Sequence, residues 1–349
     1  MNMSAAQGDC GESSLSRYKF HEGRNLMFAN FIVLIVLVAL VILFGWLTYR
    51  AICSSKLWVK IAGGILGVVA TLIFAGAAFT FGKGLLEFTR PHPVAAVNVV
   101  FEHTPEQVAR GEHLAGILCA SCHSMNGELP LTGGKNLSED SGLPLGDLYP
   151  PNITSGGRLK ELTDADVFRI LRSGVDPQGR LTAMGFFPVR ALSDDDAKAV
   201  IAYLRQAPAV EKTTPPLSAS PLLVAFTGLG FTTAPGADQP ITPVTAPPKA
   251  VNIEYGKYVA DFGDCRGCHG EKLDGNAPPP APPGATNLTV VVPQWSKDDF
   301  FKAMRTGVDP GGNQIQPPMP WQTIGKLDDV ELEALYLYLH SLPPLLPNK

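Results

Sequence analysis

The chain is 349 residues long, enough for two domains of ordinary size with something left over. Only 17% of its residues are charged and its mean hydropathy is slightly positive, which is high for a soluble protein. Residues 1–90 hold 8 Lys/Arg and 4 Asp/Glu, whereas residues 91–349 hold 20 and 28; this acidic excess argues against nucleic acid as a partner and favours one with a basic docking face.

Residues 1–24 form a mixed-charge tail. Next come 25 uncharged residues between Arg24 and Arg50, and then 22 more, Ile61 to Gly82, between Lys60 and Lys83. At about 1.5 Å per residue each run reaches roughly 33 Å or more, enough to cross a hydrocarbon core of about 30 Å. Residues 25–90 are therefore expected to form a transmembrane hairpin. The first run is too long for a secretory leader, and no small-residue cleavage site follows it. The second run carries small residues four apart, Gly63/Gly67 and Ala78/Gly82, which let helices approach closely.

The first domain, residues 91–207, opens on a Pro/Val-rich connector. A helix then starts at Thr104, with Pro105 in its first turn and Gln107 completing a capping box, and ends in "CASCH", Cys119 to His123. Beyond it lie "NIT" at Asn152 to Thr154, a short helix capped by Thr163 with Asp166, a loop "LTAMGFFP" holding Met184, and a last helix capped by Ser193 with Asp196. Residues 208–250 are a Pro-rich linker whose apolar insert, "LLVAFTGLGF", is expected to pack on one domain. Residues 251–349 repeat the same order: "CRGCH" at Cys265 to His269, "NLT" from Asn287, a helix capped by Ser296 with Asp299, "IQPPMPW" holding Met319, and a last helix capped by Asp328 with Glu331. Strand signals are sparse. The expected fold class is all-α, a two-helix transmembrane hairpin followed by two tandem helical domains.

A C-x-x-C-H unit serves a dithiol redox pair, half a zinc site, or covalent attachment of haem c. Neither domain offers a second Cys/His pair at finger-like spacing for zinc. A dithiol pair needs no histidine, yet both copies carry one. The repeat therefore favours two covalently attached haem c groups. Cys119 and Cys122 would bind one and Cys265 and Cys268 the other, with His123 and His269 as proximal ligands. Met319, 51 residues after Cys268, and Met184, 62 residues after Cys122, are the expected sixth ligands. Met304 reads as a packing residue, Met125 is too close to His123 to reach the opposite face, and His113 and His340 read as surface or packing residues. A thioether is a soft ligand that favours Fe(II) and closes the iron to substrate, which suits a carrier.

With these motifs assembled, residues 104–345 resemble a tandem pair of class I c-type cytochrome domains, in detail the multihaem cytochrome subunits of bacterial membrane-bound dehydrogenases. The resemblance implies that a glycine of the first helix packs on an aromatic of the last: Gly256 on Tyr336 or Tyr338, and Gly111, one residue closer to its motif, on Tyr203. It also implies that the Asn/Thr motifs and Arg172 or Arg305 lie near haem propionates. In architecture only, the chain also resembles the dihaem subunit of cbb-type oxidases.

Haem c is attached outside the cytoplasm, so both domains are expected on the periplasmic or extracytoplasmic side of the cell membrane. The protein would be multi-pass, with only Arg50 to Lys60 inside. Cys53 would then be cytosolic and Cys10 external, and neither has an assigned role. The expected function is single-electron transfer between a membrane redox complex, with this chain as a subunit, and a soluble or membrane-bound electron carrier. Two readings stay open beside it. One is a dihaem peroxidase or other haem enzyme with one openable iron, at Met184; the other is a haem-based sensor, although no output domain is visible.

Overall fold

The computed structural model describes residues 12–186, 188–232, 234, 236–277 and 284–345, with side chains from Met27 onward except at positions 140 and 188; Cys10 lies outside the described residues. In chain order the helices are α1 (Glu12–Ile52), α2 (Gly64–Thr89), α3 (Pro105–Leu118), α4 (Ala120–His123), α5 (Leu137–Ser141), α6 (Asp164–Ser173) and α7 (Asp194–Gln206). They continue with α8 (Pro221–Leu229), α9 (Ile253–Phe262), α10 (Cys265–His269), α11 (Leu288–Val291), α12 (Lys297–Thr306), α13 (Trp321–Ile324) and α14 (Asp329–His340). Two short strands, β1 (Gly146–Asp147) and β2 (Ser218–Ala219), pair antiparallel. The chain divides into two compact units. One contains α1 and α2 with the segments Asn136–Tyr149 and Pro215–Thr232; the other holds the remainder.

In the first unit α1 and α2 pack as a hairpin. The backbone is helical from Glu12 onward, so α1 begins inside the stretch expected as a tail. Nothing between Glu12 and Asn25 breaks a helix except Gly23, and one glycine costs only about 1 kcal/mol. Met27–Ile52 and Val59–Thr89 are both long and apolar enough to cross a membrane, and only 6% of the most apolar stretch of each is buried. The small residues of the second helix do face the first. Gly67 sits against Thr48 with no room for a Cβ, Gly63 lies beside Ala51, and Phe44 stacks on Phe74 with ring centroids 5.1 Å apart. The linker's apolar insert is α8, and it packs on α2 and α1 rather than on either domain. Asn136–Tyr149, expected within the first domain, also belongs to this unit, with Leu145 and Leu148 in its apolar cluster.

The second unit contains both copies of the repeat. Each copy crosses its first and last helices, α3 on α7 and α9 on α14. A Cβ added at Gly111 would overlap the Ala199 carbonyl oxygen and lie 2.9 Å from Tyr203 Cβ. One added at Gly256 would overlap the Ala334 carbonyl and lie 2.8 Å from Tyr338 Cβ. The two crossings are therefore equivalent despite the one-residue difference in spacing. The extra residue of the second copy is absorbed by Asp264, whose φ of 54° turns the chain between α9 and α10, whereas α3 runs to Leu118 directly before Cys119. All the expected caps form. Thr104, Thr163, Ser296 and Asp328 make reciprocal capping boxes with Gln107, Asp166, Asp299 and Glu331, and the Ser193 hydroxyl accepts from Asp196 N–H. Buried residues of the two copies, Leu114, Ile117, Val200 and Ile201 with Tyr255, Tyr258, Leu332 and Leu335, form one continuous apolar cluster.

Candidate haem c sites

Each C-x-x-C-H occupies a single helical turn at the end of the first helix of its copy. In the first, Cys119 ends α3 and His123 lies in α4, with Cys122 N–H and His123 N–H both donating to the Cys119 carbonyl at 3.2 and 2.8 Å. In the second, Cys265 to His269 are the whole of α10. This spacing puts both thiols and the imidazole within one turn, as two thioether bonds and one iron ligand require. Burial pushes the Cys119 and Cys265 thiols up to about 12 and raises that of Cys268, so the free groups are neutral thiols rather than thiolates.

Both imidazoles are buried and held alike. His123 Nδ1 lies 2.8 Å from the Pro151 carbonyl oxygen, and His269 Nδ1 lies 2.7 Å from the Thr286 carbonyl oxygen. A carbonyl only accepts, so Nδ1 carries the proton and Nε2 keeps its lone pair for a metal. Burial lowers both pKa values, which the hydrogen bond only partly opposes, and keeps the rings in the neutral form a metal needs. The accepting carbonyl comes directly before the Asn-x-Thr motif in both copies. The backbone carbonyls of the histidines are matched too, accepting from Gly133 N–H at 2.9 Å and Gly275 N–H at 2.8 Å. This donor set fits a porphyrin iron held by C-x-x-C-H, and it is present twice.

The loops carrying the methionines are built on a common turn. Val175 bridges Leu181, and Val308 bridges Gln314; Thr182 N–H then donates to the Gly174 carbonyl, and Ile315 N–H to that of Gly307, at 2.8 and 2.7 Å. Asp176 and Asp309 each accept backbone N–H bonds inside the turn. Met184 follows in the short helical turn Ala183–Phe186, half-buried. Met319 is half-buried against the apolar cluster, its N–H on the Gln316 carbonyl and its own carbonyl taken by Trp321 N–H at 2.9 Å. In the second copy Trp321 covers Gly307, while in the first the backbone of Gly185 lies directly on Gly174.

The side chains expected near propionates also bond within the protein, although Arg172 Nε is buried without a hydrogen-bond partner. Asn152 Nδ2 donates to the Val210 and Lys212 carbonyls at 2.7 and 3.0 Å, and Asn287 Nδ2 to that of Leu345 at 2.7 Å. The motifs thus clamp the segment that follows the last helix. Arg172 bonds the Leu192 carbonyl and Asp194, while Arg305 bonds the Gly325 carbonyl and Asp329. Both arginines tie the short helix to the start of the last one.

Two family profiles match the chain. The one described as cytochrome c covers residues 253–343, and the one described as cytochrome c oxidase, cbb3-type, subunit III covers residues 106–204. Both copies are cytochrome c domains. The likeness to a cbb-type oxidase subunit, expected from architecture only, is therefore present in the sequence of the first domain. The chain is 33% identical over 105 residues to the gluconate 2-dehydrogenase cytochrome c subunit of Pantoea cypripedii, covering 27% of this chain and 24% of that protein. It is 31% identical over 110 residues to the cytochrome c subunit of the alcohol dehydrogenase (quinone) of Gluconobacter oxydans, covering 28% and 23%. It is 30% identical over 113 residues to the fructose dehydrogenase cytochrome subunit of Gluconobacter japonicus, covering 29% and 23%. The matches span less than a quarter of these relatives' lengths.

A polar cluster between the two cytochrome domains escapes the sequence. Arg110 on α3 pairs with Asp196 on α7 through Nε and Nη2 at 2.8 and 3.0 Å, and with Glu331 on α14 through Nη1 at 2.5 Å. His113 Nε2 lies 2.6 Å from the other Glu331 oxygen, and Tyr258 donates to Asp196 at 2.7 Å. Glu331 is fully buried. Burial alone would raise its pKa, but hydrogen bonds from His113 and Arg110 outweigh it and hold the carboxyl at about 2. Glu331 is legible in the sequence only as the third residue of a capping box, and its second role depends on which face of α14 meets the other domain.

Proposed function

We propose that this chain is a membrane-anchored dihaem cytochrome c, a subunit of a membrane-bound dehydrogenase complex, that passes single electrons between that complex and another carrier. The observation that carries this reading is the duplicated imidazole arrangement, in which Nδ1 is committed to a carbonyl and Nε2 is left free beside two cysteines on one turn. Cys119 and Cys122, and Cys265 and Cys268, attach one haem each; His123 and His269 bind the irons. Haem c, when bound, supplies a one-electron couple. The remaining work belongs to the chain. The Pro151 and Thr286 carbonyls fix the tautomer and orientation of the two imidazoles. Met184 and Met319 would supply the soft thioether ligands that raise the potential and exclude water and substrate. The shared apolar cluster and the Arg110–Glu331 pair hold the two domains against each other, so electrons pass between two sites of fixed separation.

The relatives support the assignment to a dehydrogenase complex, since all three are cytochrome subunits of dehydrogenases by description. The apolar hairpin supports membrane anchorage, with two crossings, the haem domains outside the cytoplasm and only the short α1–α2 connection inside. The test is direct. Denatured chain run on a gel stains for haem, and the alkaline pyridine spectrum gives two c-type haems per chain. Replacing both cysteines of one motif by alanine lowers this to one. Pigment that leaves the denatured chain would overturn the reading. Peroxide turnover together with a high-spin ferric spectrum would move it to the enzymatic alternative.

A further inference from the structure

The described part of the hairpin unit contains a third apolar helix that the two-span reading does not use. Residues 213–237 carry no charge, and α8 lies in the middle of them. It begins in a capped turn: the Ser220 hydroxyl accepts from Leu223 N–H and donates to the Pro144 carbonyl at 2.7 Å. It crosses α2 backbone to backbone at a pair of glycines. A Cβ on Gly84 would overlap the Val224 carbonyl oxygen, and one on Gly228 would overlap that of Thr80. Such small-residue contact is how helices pack where no hydrophobic effect drives them together. Asn30 of α1, fully buried, donates from Nδ2 to the Ala219 carbonyl at 2.9 Å just before α8.

The level of this contact is set by its partners. Phe81 and Leu85 of α2 share a buried apolar cluster with Leu223 and Val224, and Met27, Val33, Leu34 and Leu37 of α1 pack against that cluster. All of these belong to the two candidate spans, near the N-terminal end of one and the C-terminal end of the other. Leu37 is ten residues into its span, about 15 Å along the helix, half of a hydrocarbon core of about 30 Å. At the C-terminal end of α8 and just beyond it, apolar side chains stay uncovered: Leu229 is 58% exposed and Phe231 42%. The helix end is also closed for an apolar medium. Gly230, at φ 85°, lets its own N–H donate to the Thr227 carbonyl and that of Phe231 to the Phe226 carbonyl, while the Thr227 hydroxyl bonds the Leu223 carbonyl at 2.9 Å.

From this juxtaposition we infer that α8 is a third membrane element, a short helix seated in the outer leaflet against the ends of both spans, with Leu229 and Phe231 in contact with lipid acyl chains. The inference rests on the hairpin crossing the bilayer. It commits to lipid rather than a protein partner because α8 packs against residues of both candidate spans, whose own exposed residues are mostly apolar, and because no charge interrupts the segment.

The test uses the full-length holoprotein, with Cys10→Ser and Cys53→Ser, purified and reconstituted into phosphatidylcholine vesicles. Single cysteines are introduced as Leu229→Cys, Val36→Cys in the first span, and Asp195→Cys as an aqueous reference. Reaction with a charged, membrane-impermeant maleimide is expected to be at least about tenfold slower for Leu229→Cys and Val36→Cys than for Asp195→Cys, because the reacting thiolate must be in water. A phospholipid bearing a diazirine in its acyl chain is expected to label the peptide that holds Leu229. Fast labelling at Leu229→Cys with Val36→Cys still protected overturns the inference and leaves the hairpin standing. Fast labelling at both overturns the hairpin itself. Protection of Leu229→Cys only in native membranes, lost in vesicles of the purified chain, assigns the face to a protein subunit and also overturns the inference.

Discussion

His123 and His269 show how little a side chain needs in order to be prepared for a metal: one buried carbonyl for Nδ1 and a fixed turn beneath it. On the proposed ligation, Met319→Leu opens one iron of two. About half of the Met–iron charge-transfer absorbance is then lost, and carbon monoxide binds one ferrous haem per chain; an optical titration checks this. Met184→Leu is expected to do the same at the other haem. Glu331 makes a prediction in pH. Its folded-state pKa of about 2 lies below the ordinary 4.5, so its contribution is fully present above about pH 4.5 and is lost as pH falls towards 2. Linkage makes that contribution worth about 3 kcal/mol. Urea unfolding across that range, compared between the wild type and Glu331→Gln, is expected to show a shallower acid limb in the variant.

At the scale of elements, the two glycine crossings set the distance between the first and last helix of each cytochrome domain. Gly256→Ala places a methyl group on the Ala334 carbonyl, and separating α9 from α14 to admit it costs about 2 kcal/mol or more. Thermal unfolding followed in the haem absorption band is expected to register this loss. Gly111→Ala meets the same obstacle at Ala199, so its penalty should match despite the different spacing in the sequence. The capping boxes are independent of these crossings, and Ser296→Ala is expected to cost about 1 kcal/mol in the same measurement.

At the scale of the whole chain, Arg110 joins carboxylates from both cytochrome domains, and the apolar cluster runs through both. The pair is expected to unfold as one cooperative step. Arg110→Ala leaves Asp196 and Glu331 without their shared cation, which costs about 3–5 kcal/mol for a buried pair. Calorimetry of the variant is expected to resolve two transitions where the wild type gives one.

What could be read without coordinates was local or repeated. Cap residues act within one helical turn, apolar run length reports a possible span directly, and C-x-x-C-H twice in a repeat names its cofactor, because each signal is complete within a few residues. What could not be read depended on which surfaces meet. The apolar insert before Gly230 looked like packing for a domain, but it belongs to the hairpin because Gly84 and Gly228 match each other across a gap of sequence that no periodicity spans. Asn152 and Arg172 read as cofactor contacts, and each also holds a carbonyl 60 or 20 residues away, while Arg172 Nε stays buried without a hydrogen-bond partner. Glu331 caps its helix by a local rule, yet its charge is set by Arg110 and His113 of the other domain. Short-range hydrogen bonding follows from residue order alone; the partner of a buried charge or a bare glycine is decided only when distant segments are packed together.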